Sequence, residues 1–124
     1  SFLATNAYGQ SLGATPIQMA TALSALANEG QMMQPYLVKE IRRGQGNYVN
    51  EPAVLSQPIS RETAQQLTAM ATNALRTAFP QAQVAGYTVA GKTGTAQIPE
   101  NGIYLPDAVI GTFAGWLPAD STTT

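Results

Sequence analysis

Val89-Ala90-Gly91-Lys92-Thr93-Gly94-Thr95-Ala96-Gln97 is the stretch around which the chain is organised. It holds one of the two lysines, and no other charged residue lies between Arg76 and Glu100. An isolated ammonium beside hydroxyls and bare glycine backbone is typical of a site for an anion. We therefore predict an anion site on this stretch, and the rest of the chain must indicate which anion.

The composition excludes several classes of function. The chain has 124 residues, which allows at most one small domain. Six basic and seven acidic residues give a net charge of −1, which argues against a nucleic-acid partner and against a polybasic membrane patch. Residues 1–28 are uncharged, but polar side chains interrupt each apolar run, so neither a membrane span nor a signal peptide is expected there.

The chain contains no cysteine and no histidine. Disulfides, thiol chemistry and most zinc sites are therefore excluded, and we predict no metal site and no cofactor. An imidazole base is excluded too, so a Ser-His-Asp triad cannot lie in this chain. The abrupt start and the ending Ser121-Thr122-Thr123-Thr124 suggest a piece of a longer protein.

Two helices are predicted from their capping residues. Thr15, Pro16 and Gln18 form a capping-box pattern, and Gly30 is expected to end the first helix as a left-handed C′ residue. This alanine-rich helix is interpreted as scaffold.

The second helix is expected to start after Ser60, with Glu62 in its first turn, and to stop at Pro80. Apolar residues at helical spacing predict one buried stripe along it. The stripe comprises Leu67, Ala71, Ala74, Leu75 and Ala78.

Strands are predicted in two places. Residues 36–42 and Tyr48-Val49 flank a turn cluster at 43–47, which predicts an exposed hairpin. Residues 87–97 and 108–117 predict two longer strands that pair antiparallel across a loop at 98–107. Trp116, in the last strand, is expected to pack in a core or on a sheet face rather than to stack on substrate. The elements together predict an α+β fold of antiparallel strands with packed helices.

A nucleotide-binding P-loop fits the letters at Gly86, Gly91, Lys92 and Thr93. A P-loop needs a helix directly after it, whose N-terminus faces the phosphates. Here another glycine and Pro99 follow, and a polar segment precedes. The P-loop interpretation is therefore rejected.

The motif Lys92-Thr93-Gly94-Thr95 on a strand resembles the third motif of penicillin-binding proteins and serine β-lactamases. Further segments resemble high-molecular-weight class B penicillin-binding proteins in the same order, so the resemblance covers nearly the whole chain. These segments are residues 9–10, 14–20, 25–30, 35–41, 59–64, 90–97 and 112–118. The resemblance implies a partial penicillin-binding/serine β-lactamase-like domain.

The resemblance also implies roles for five residues. Lys92 would supply positive potential for a peptide carboxylate and for proton transfer, and Thr93 and Thr95 would offer hydroxyls to that carboxylate. The Thr95 backbone N–H would be one of two oxyanion donors, so Lys92 and Thr95 are the expected catalytic residues. Gly94 would let substrate approach the strand, and Gln97 either contacts ligand or is simply an exposed strand end. An ordinary edge strand with a protective lysine is the alternative.

Strict alternation along a strand leaves a tension in this site. It places Thr93 and Thr95 on one face and Lys92 on the other. If all three line one cleft, the strand must twist, or the lysine must curl round the strand edge.

Two motifs of the family have no match in the chain. The family's nucleophile lies in Ser-x-x-Lys, and neither Lys39 nor Lys92 has a serine three residues before it. The Ser-x-Asn motif is matched by letters only in its tyrosine variant, at Tyr48-Val49-Asn50, where a hairpin surface is the simpler interpretation. We expect residues 1–124 to be the C-terminal part of a transpeptidase domain, lacking the nucleophile segment and the last strand and helix. Alone it would be inactive, and it is either a fragment or stabilised by swapping or oligomerisation.

The resemblance implies a parent serine D,D-transpeptidase that cross-links peptidoglycan during cell division or elongation and is acylated by β-lactams. A β-lactam-sensing receptor and a non-catalytic cell-wall scaffold are the alternatives. Expected partners are the peptidoglycan stem peptide, β-lactams, the remainder of the domain and other cell-wall synthesis proteins. The location would be extracytoplasmic, in the periplasm or on the outer face of the membrane, with an N-terminal membrane helix outside this chain.

Overall fold

The structure, a computed structural model, describes Gly9, residues 12–44 and residues 46–120. Residues 1–8, 10–11, 45 and Ser121-Thr122-Thr123-Thr124 lie outside the described residues. Within the described ranges, none of the helices combines the length and hydropathy that a membrane crossing requires.

Helix α1 spans Pro16–Ala27, and its capping box is confirmed. The Gln18 N–H donates to Thr15 Oγ1 at 3.3 Å, and the Thr15 N–H donates to Gln18 Oε1 at 2.9 Å. These bonds satisfy two backbone donors that a helix start would otherwise leave open.

The predicted end of α1 was wrong in detail. The helix stops at Ala27, so the left-handed C′ residue is Glu29, with φ 53°, and Gly30 follows it with φ 87°. The Gly30 N–H donates to the Ala25 carbonyl at 2.8 Å. This is the hydrogen bond of a Schellman motif that spans six residues. The glycine is still required, because it turns the chain beside the Ile59 carbonyl.

Helix α2 spans Arg61–Ala78, and its start is also confirmed. The Thr63 N–H donates to Ser60 Oγ at 3.2 Å, and Pro80 begins a 3₁₀ turn, Pro80–Ala82.

The stripe predicted to be buried along α2 is only partly so. Leu75 is buried and Ala71 half-buried, but Leu67 is 40% exposed, and Ala74 and Ala78 are exposed too. The best-buried alanine of α2 is Ala64, which the stripe had left out. The reason is that the helix packs on β5 and α1 over a limited part of its surface.

Three antiparallel pairs of strands, two short and one long, complete the fold of the described residues. β1 (Met32–Met33) pairs with β4 (Val54–Ser56), a pair too short to show a periodic pattern, and it was not predicted. β2 (Glu40–Arg43) and β3 (Gly46–Val49) form the predicted hairpin, exposed on both faces, but residues 36–39 lie outside its strands.

The long hairpin of β5 (Ala90–Glu100) and β6 (Ile103–Trp116) confirms the antiparallel pairing. The loop predicted at 98–107 was wrong, because both strands continue to a tight turn at Asn101-Gly102, with φ 51° and 81°. Asn-Gly is the favoured pair for such turns. The prolines that suggested a loop are accommodated by a shift of register, from Gln97 opposite Val109 to Pro99 opposite Tyr104.

The core of the described chain is small. It lies where α2 covers the start of β5, and α1 packs on α2. The α+β class, with antiparallel strands and packed helices, is confirmed. The almost fully buried apolar residues are Ala25, Ala64, Leu75, Val89 and Ala90.

Candidate functional site

All five predicted site residues lie on β5, directly after its buried start. Lys92 and Thr95 are exposed, while Thr93, Gly94 and Gln97 are half-buried. Ala90 and Gly91, at the start of β5, are buried, so packing fixes the position of the motif. Exposure to solvent begins at the next residue, Lys92. The P-loop interpretation is ruled out, because a strand rather than a helix continues through the motif.

The Lys92 side chain curls back onto its own strand. Its ammonium Nζ donates to the Thr93 carbonyl oxygen at 2.6 Å. Residues two apart in a strand direct their backbone groups to the same edge, so the Thr93 carbonyl and the Thr95 N–H share an edge of β5. Although the Lys92 side chain starts on the opposite face from Thr93 and Thr95, its ammonium thus reaches the backbone edge of β5 that those two residues share.

The ammonium has no carboxylate partner among the described residues. The ion pairs found there join Arg42 to Glu40 at 2.9 Å and Arg61 to Glu29 at 2.6 Å, and only the Glu40 side chain is less than half exposed. An ammonium has three N–H donors, so one that bonds to a single carbonyl keeps two donors for an anion.

The space beside Gly94 is filled by its neighbour across the hairpin. A Cβ built at Gly94 would lie 2.5 Å from Thr112 Oγ1, so the Thr112 side chain would have to move. Gly91 is packed in the same way, because its Cβ would lie 2.7 Å from Cζ of Phe113, whose ring also covers Gly115. The sequence indicated the glycines but neither covering residue, since both follow from the cross-strand register.

Gln97 lies past the motif, where the register is about to shift. Its Nε2 donates to the Leu105 carbonyl at 3.5 Å, a distance at the limit for a hydrogen bond. So weak a bond leaves the amide available to a ligand, and a contact with substrate stays a prediction.

Trp116 lies at the end of β6, opposite Ala90, and is half-buried as a packing residue. It borders a groove of about 700 Å³ between α1, α2 and the segment after β6. Its indole N–H is buried and has no hydrogen-bond partner among the described residues.

The tyrosine variant of the second motif lies away from β5, and no metal site is found in the described residues. Tyr48-Val49-Asn50 belongs to the exposed hairpin, where the Tyr48 hydroxyl donates to Asn50 Oδ1 at 3.1 Å. Across the described ranges, no cluster of three or more acidic, histidine or cysteine side chains could hold a metal ion.

Comparison with known proteins places this strand in a recognised setting. The family model described as penicillin binding protein transpeptidase domain matches residues 1–124. Stage V sporulation protein D of Bacillus subtilis is 41% identical over 125 aligned residues, which cover 94% of this chain and 19% of that protein.

Two solved structures show the same fold. Penicillin-binding protein A of Mycobacterium tuberculosis, as its ceftriaxone acyl-enzyme complex, superposes with a TM-score of 0.82 at 26% identity, over 94% of this chain and 26% of that one. Penicillin-binding protein 3 of the same organism, in its apo form, gives a TM-score of 0.78 at 32% identity, over 90% and 27%. The chain thus spans about a fifth to a quarter of the relatives that it matches, and the expected penicillin-binding fold is confirmed.

Proposed function

Because the chain belongs to the penicillin-binding protein transpeptidase family, we propose that it is part of a serine D,D-transpeptidase that cross-links peptidoglycan and is acylated by β-lactams. This part supplies the strand that binds the substrate carboxylate and one donor of the oxyanion hole. The observation that carries the proposal is the Lys92 ammonium, which bonds to the Thr93 carbonyl and has no carboxylate partner among the described residues.

The carboxylate site would be built along β5. The terminal carboxylate of a peptide ending in D-Ala-D-Ala, or the carboxylate of a β-lactam, would accept from Lys92 and from the hydroxyls of Thr93 and Thr95. Charge-assisted hydrogen bonds of this kind are about twice as strong as neutral ones. The same lysine would raise the local positive potential and so favour loss of the proton from the attacking serine.

The Thr95 N–H would stabilise the oxyanion that forms when that serine attacks the carbonyl carbon. A backbone N–H on a strand that is fixed by its pairing needs no reorganisation during the reaction. One such donor contributes a factor of roughly 10²–10³ to the rate. An acyl peptide would add as a further strand along the backbone edge of β5, and Gly94, which has no side chain, would let it come close to that edge.

The nucleophile would lie outside residues 1–124, in the remainder of the transpeptidase domain. No Ser-x-x-Lys occurs in the printed sequence, and the aligned residues cover only 19% of Stage V sporulation protein D. We propose that this chain is the C-terminal part of the domain, inactive alone, and that the parent is extracytoplasmic and anchored by a membrane helix. Its partners would be stem peptides, β-lactams and other cell-wall synthesis proteins.

The test uses the full-length parent and a fluorescent penicillin. Lys92→Ala should slow acylation by at least about a hundredfold, because the variant loses a charge-assisted contact and the potential that activates the nucleophile. Lys39→Ala is the matched control, since it removes the other lysine of the chain, exposed beside the β2–β3 hairpin, and should leave acylation unchanged.

Two results would count against the proposal. One is a wild-type parent that carries Ser-x-x-Lys and is not acylated. The other is a Lys92→Ala variant that is acylated as fast as the wild type. Acylation without any transfer of a D-Ala-D-Ala peptide to an amine acceptor would instead favour the β-lactam-sensing receptor.

A further inference from the structure

We infer that Thr112, on β6, is a further residue of the carboxylate site and donates its hydroxyl to the anion beside Lys92. The inference rests on the function proposed above. It assigns a substrate contact to the strand that follows the motif strand.

The hydroxyl of Thr112 lies over the motif strand. Thr112 stands opposite Gly94 in the ladder, and its Oγ1 lies 2.5 Å from the point that a Gly94 Cβ would occupy. The side chain therefore leans from β6 across to β5 and fills the space that the missing side chain leaves. Any residue other than glycine at 94 would displace it.

Thr112 shares a face with Lys92. The ladder pairs Lys92 with Ala114 and Gly94 with Thr112, and residues two apart point to the same side of a strand. Lys92 and Thr112 are thus diagonal neighbours, a spacing that a long side chain such as lysine can span. Ala114, which stands opposite Lys92, contributes only a methyl group to this part of the face.

The hydroxyl is available to a ligand. Thr112 is exposed, and none of the side-chain hydrogen bonds found in the described residues involves it. Thr21 and Thr77 differ, because each donates to a backbone carbonyl four residues earlier, at 2.7 and 2.9 Å.

A carboxylate needs more donors than one strand face provides. Its two oxygens accept about four hydrogen bonds. By alternation the side chains of Thr93 and Thr95 leave β5 from its other face. Among the hydroxyls discussed here, Thr112 is therefore the one on the face from which the Lys92 side chain starts before its ammonium turns to the strand edge. It would complete the donor set for the oxygen nearer Lys92.

The experiment compares two substrates in the full-length parent. Thr112→Val keeps the shape and removes the hydroxyl. We expect the second-order rate constant for acylation by benzylpenicillin to fall roughly tenfold, the value of one charge-assisted hydrogen bond. Acylation by benzylpenicillin methyl ester, which has no free carboxylate, should stay within about twofold of wild type, as expected when no charge-assisted bond is lost. Thr112→Ser should restore the benzylpenicillin rate, and Thr77→Val is the control for loss of an exposed threonine hydroxyl.

Other outcomes overturn the inference. Equal rates for Thr112→Val and wild type with benzylpenicillin, or an equal fall with both substrates, would show that the hydroxyl has no carboxylate contact. If Thr112→Val fails to fold, the same comparison is made with Thr112→Ala. A Lys92→Ala variant that loses acylation while Thr112→Val does not would reject this inference and leave the proposed function standing.

Discussion

Gly30 and Gly86 adopt nearly the same left-handed backbone, with φ 87° and 83°, in different surroundings. A Cβ at Gly30 would collide with the Ile59 carbonyl, whereas nothing lies within 4 Å of one at Gly86. Gly86→Ala should therefore lower the free energy of unfolding only through the strain of a left-handed alanine backbone, by about 1–2 kcal/mol. Gly30→Ala should cost a further 1–3 kcal/mol or so, because a backbone carbonyl must move.

Urea unfolding of the two variants in the full-length parent would check this difference. Equal destabilisation by Gly30→Ala and Gly86→Ala would mean that the backbone around Gly30 and Ile59 moves apart without an energetic cost. The position of Ile59 against α1 would then not depend on this glycine.

Single residues at the site show how local need and tertiary contact combine. Lys92, Thr93, Gly94 and Thr95 were identifiable from their spacing and from the family resemblance, although their roles stay predictions. Thr112 lies in the segment 112–118 that resembles the family, but the sequence does not indicate that it stands opposite Gly94, because that pairing follows from the cross-strand register.

At the scale of the elements, the start of α2 carries a pH-dependent stabilisation. Hydrogen bonds from the backbone N–H of Glu62 itself and from the Ser60 hydroxyl hold the pKa of the Glu62 carboxyl below its ordinary value of 4.5. A carboxyl with a lowered folded-state pKa stabilises the fold above that ordinary value, and this contribution is lost as the pH falls through the folded-state pKa. The carboxylate also complements the positive end of the helix.

We therefore expect Glu62→Gln to lower the melting temperature of the full-length parent at pH 7, and the difference to disappear well below pH 4.5. Melting curves of both proteins between pH 3 and 7 would measure it. A difference that persisted unchanged in acid would show that the charge of Glu62 is not its source. Lys39→Gln, remote from a helix end, serves as a control for surface charge.

Elements were predicted with uneven success, and the reason is physical. Both helix starts were confirmed, because a cap depends on residues three apart in sequence. The tip of the β5–β6 hairpin was mistaken for a loop, because Pro99 and Pro106 were weighed above Asn101-Gly102. Prolines are tolerated where a ladder shifts register, and that shift depends on the partner strand.

At the scale of the whole molecule, the described chain buries little apolar surface for its length. Leu37, Met70 and Ile103 are 67% or more exposed, and both faces of the β2–β3 hairpin are exposed. A two-stranded hairpin is marginally stable on its own. These surfaces support the proposal that the remainder of the domain packs on this part.

Residues 1–124 expressed alone are accordingly expected to bind an apolar dye such as ANS and to lack a cooperative melting transition. The full-length parent should show a cooperative transition and little dye binding. Light scattering would reveal association through the exposed surfaces. A cooperative, dye-free monomer of the short chain would contradict the proposal that it is an incomplete part of a domain.

The sequence by itself determined where the helices start, that a strand carries Lys92-Thr93-Gly94-Thr95, and which family the chain resembles. These features depend on neighbours a few residues apart and on an ordered set of motifs. Only the tertiary structure decided that the lysine curls to the Thr93 carbonyl, that α2 buries Ala64 rather than Leu67, and that Thr112 lies over Gly94. The physical reason is that packing and cross-strand register join residues distant in sequence, and no local pattern encodes which partner each will meet.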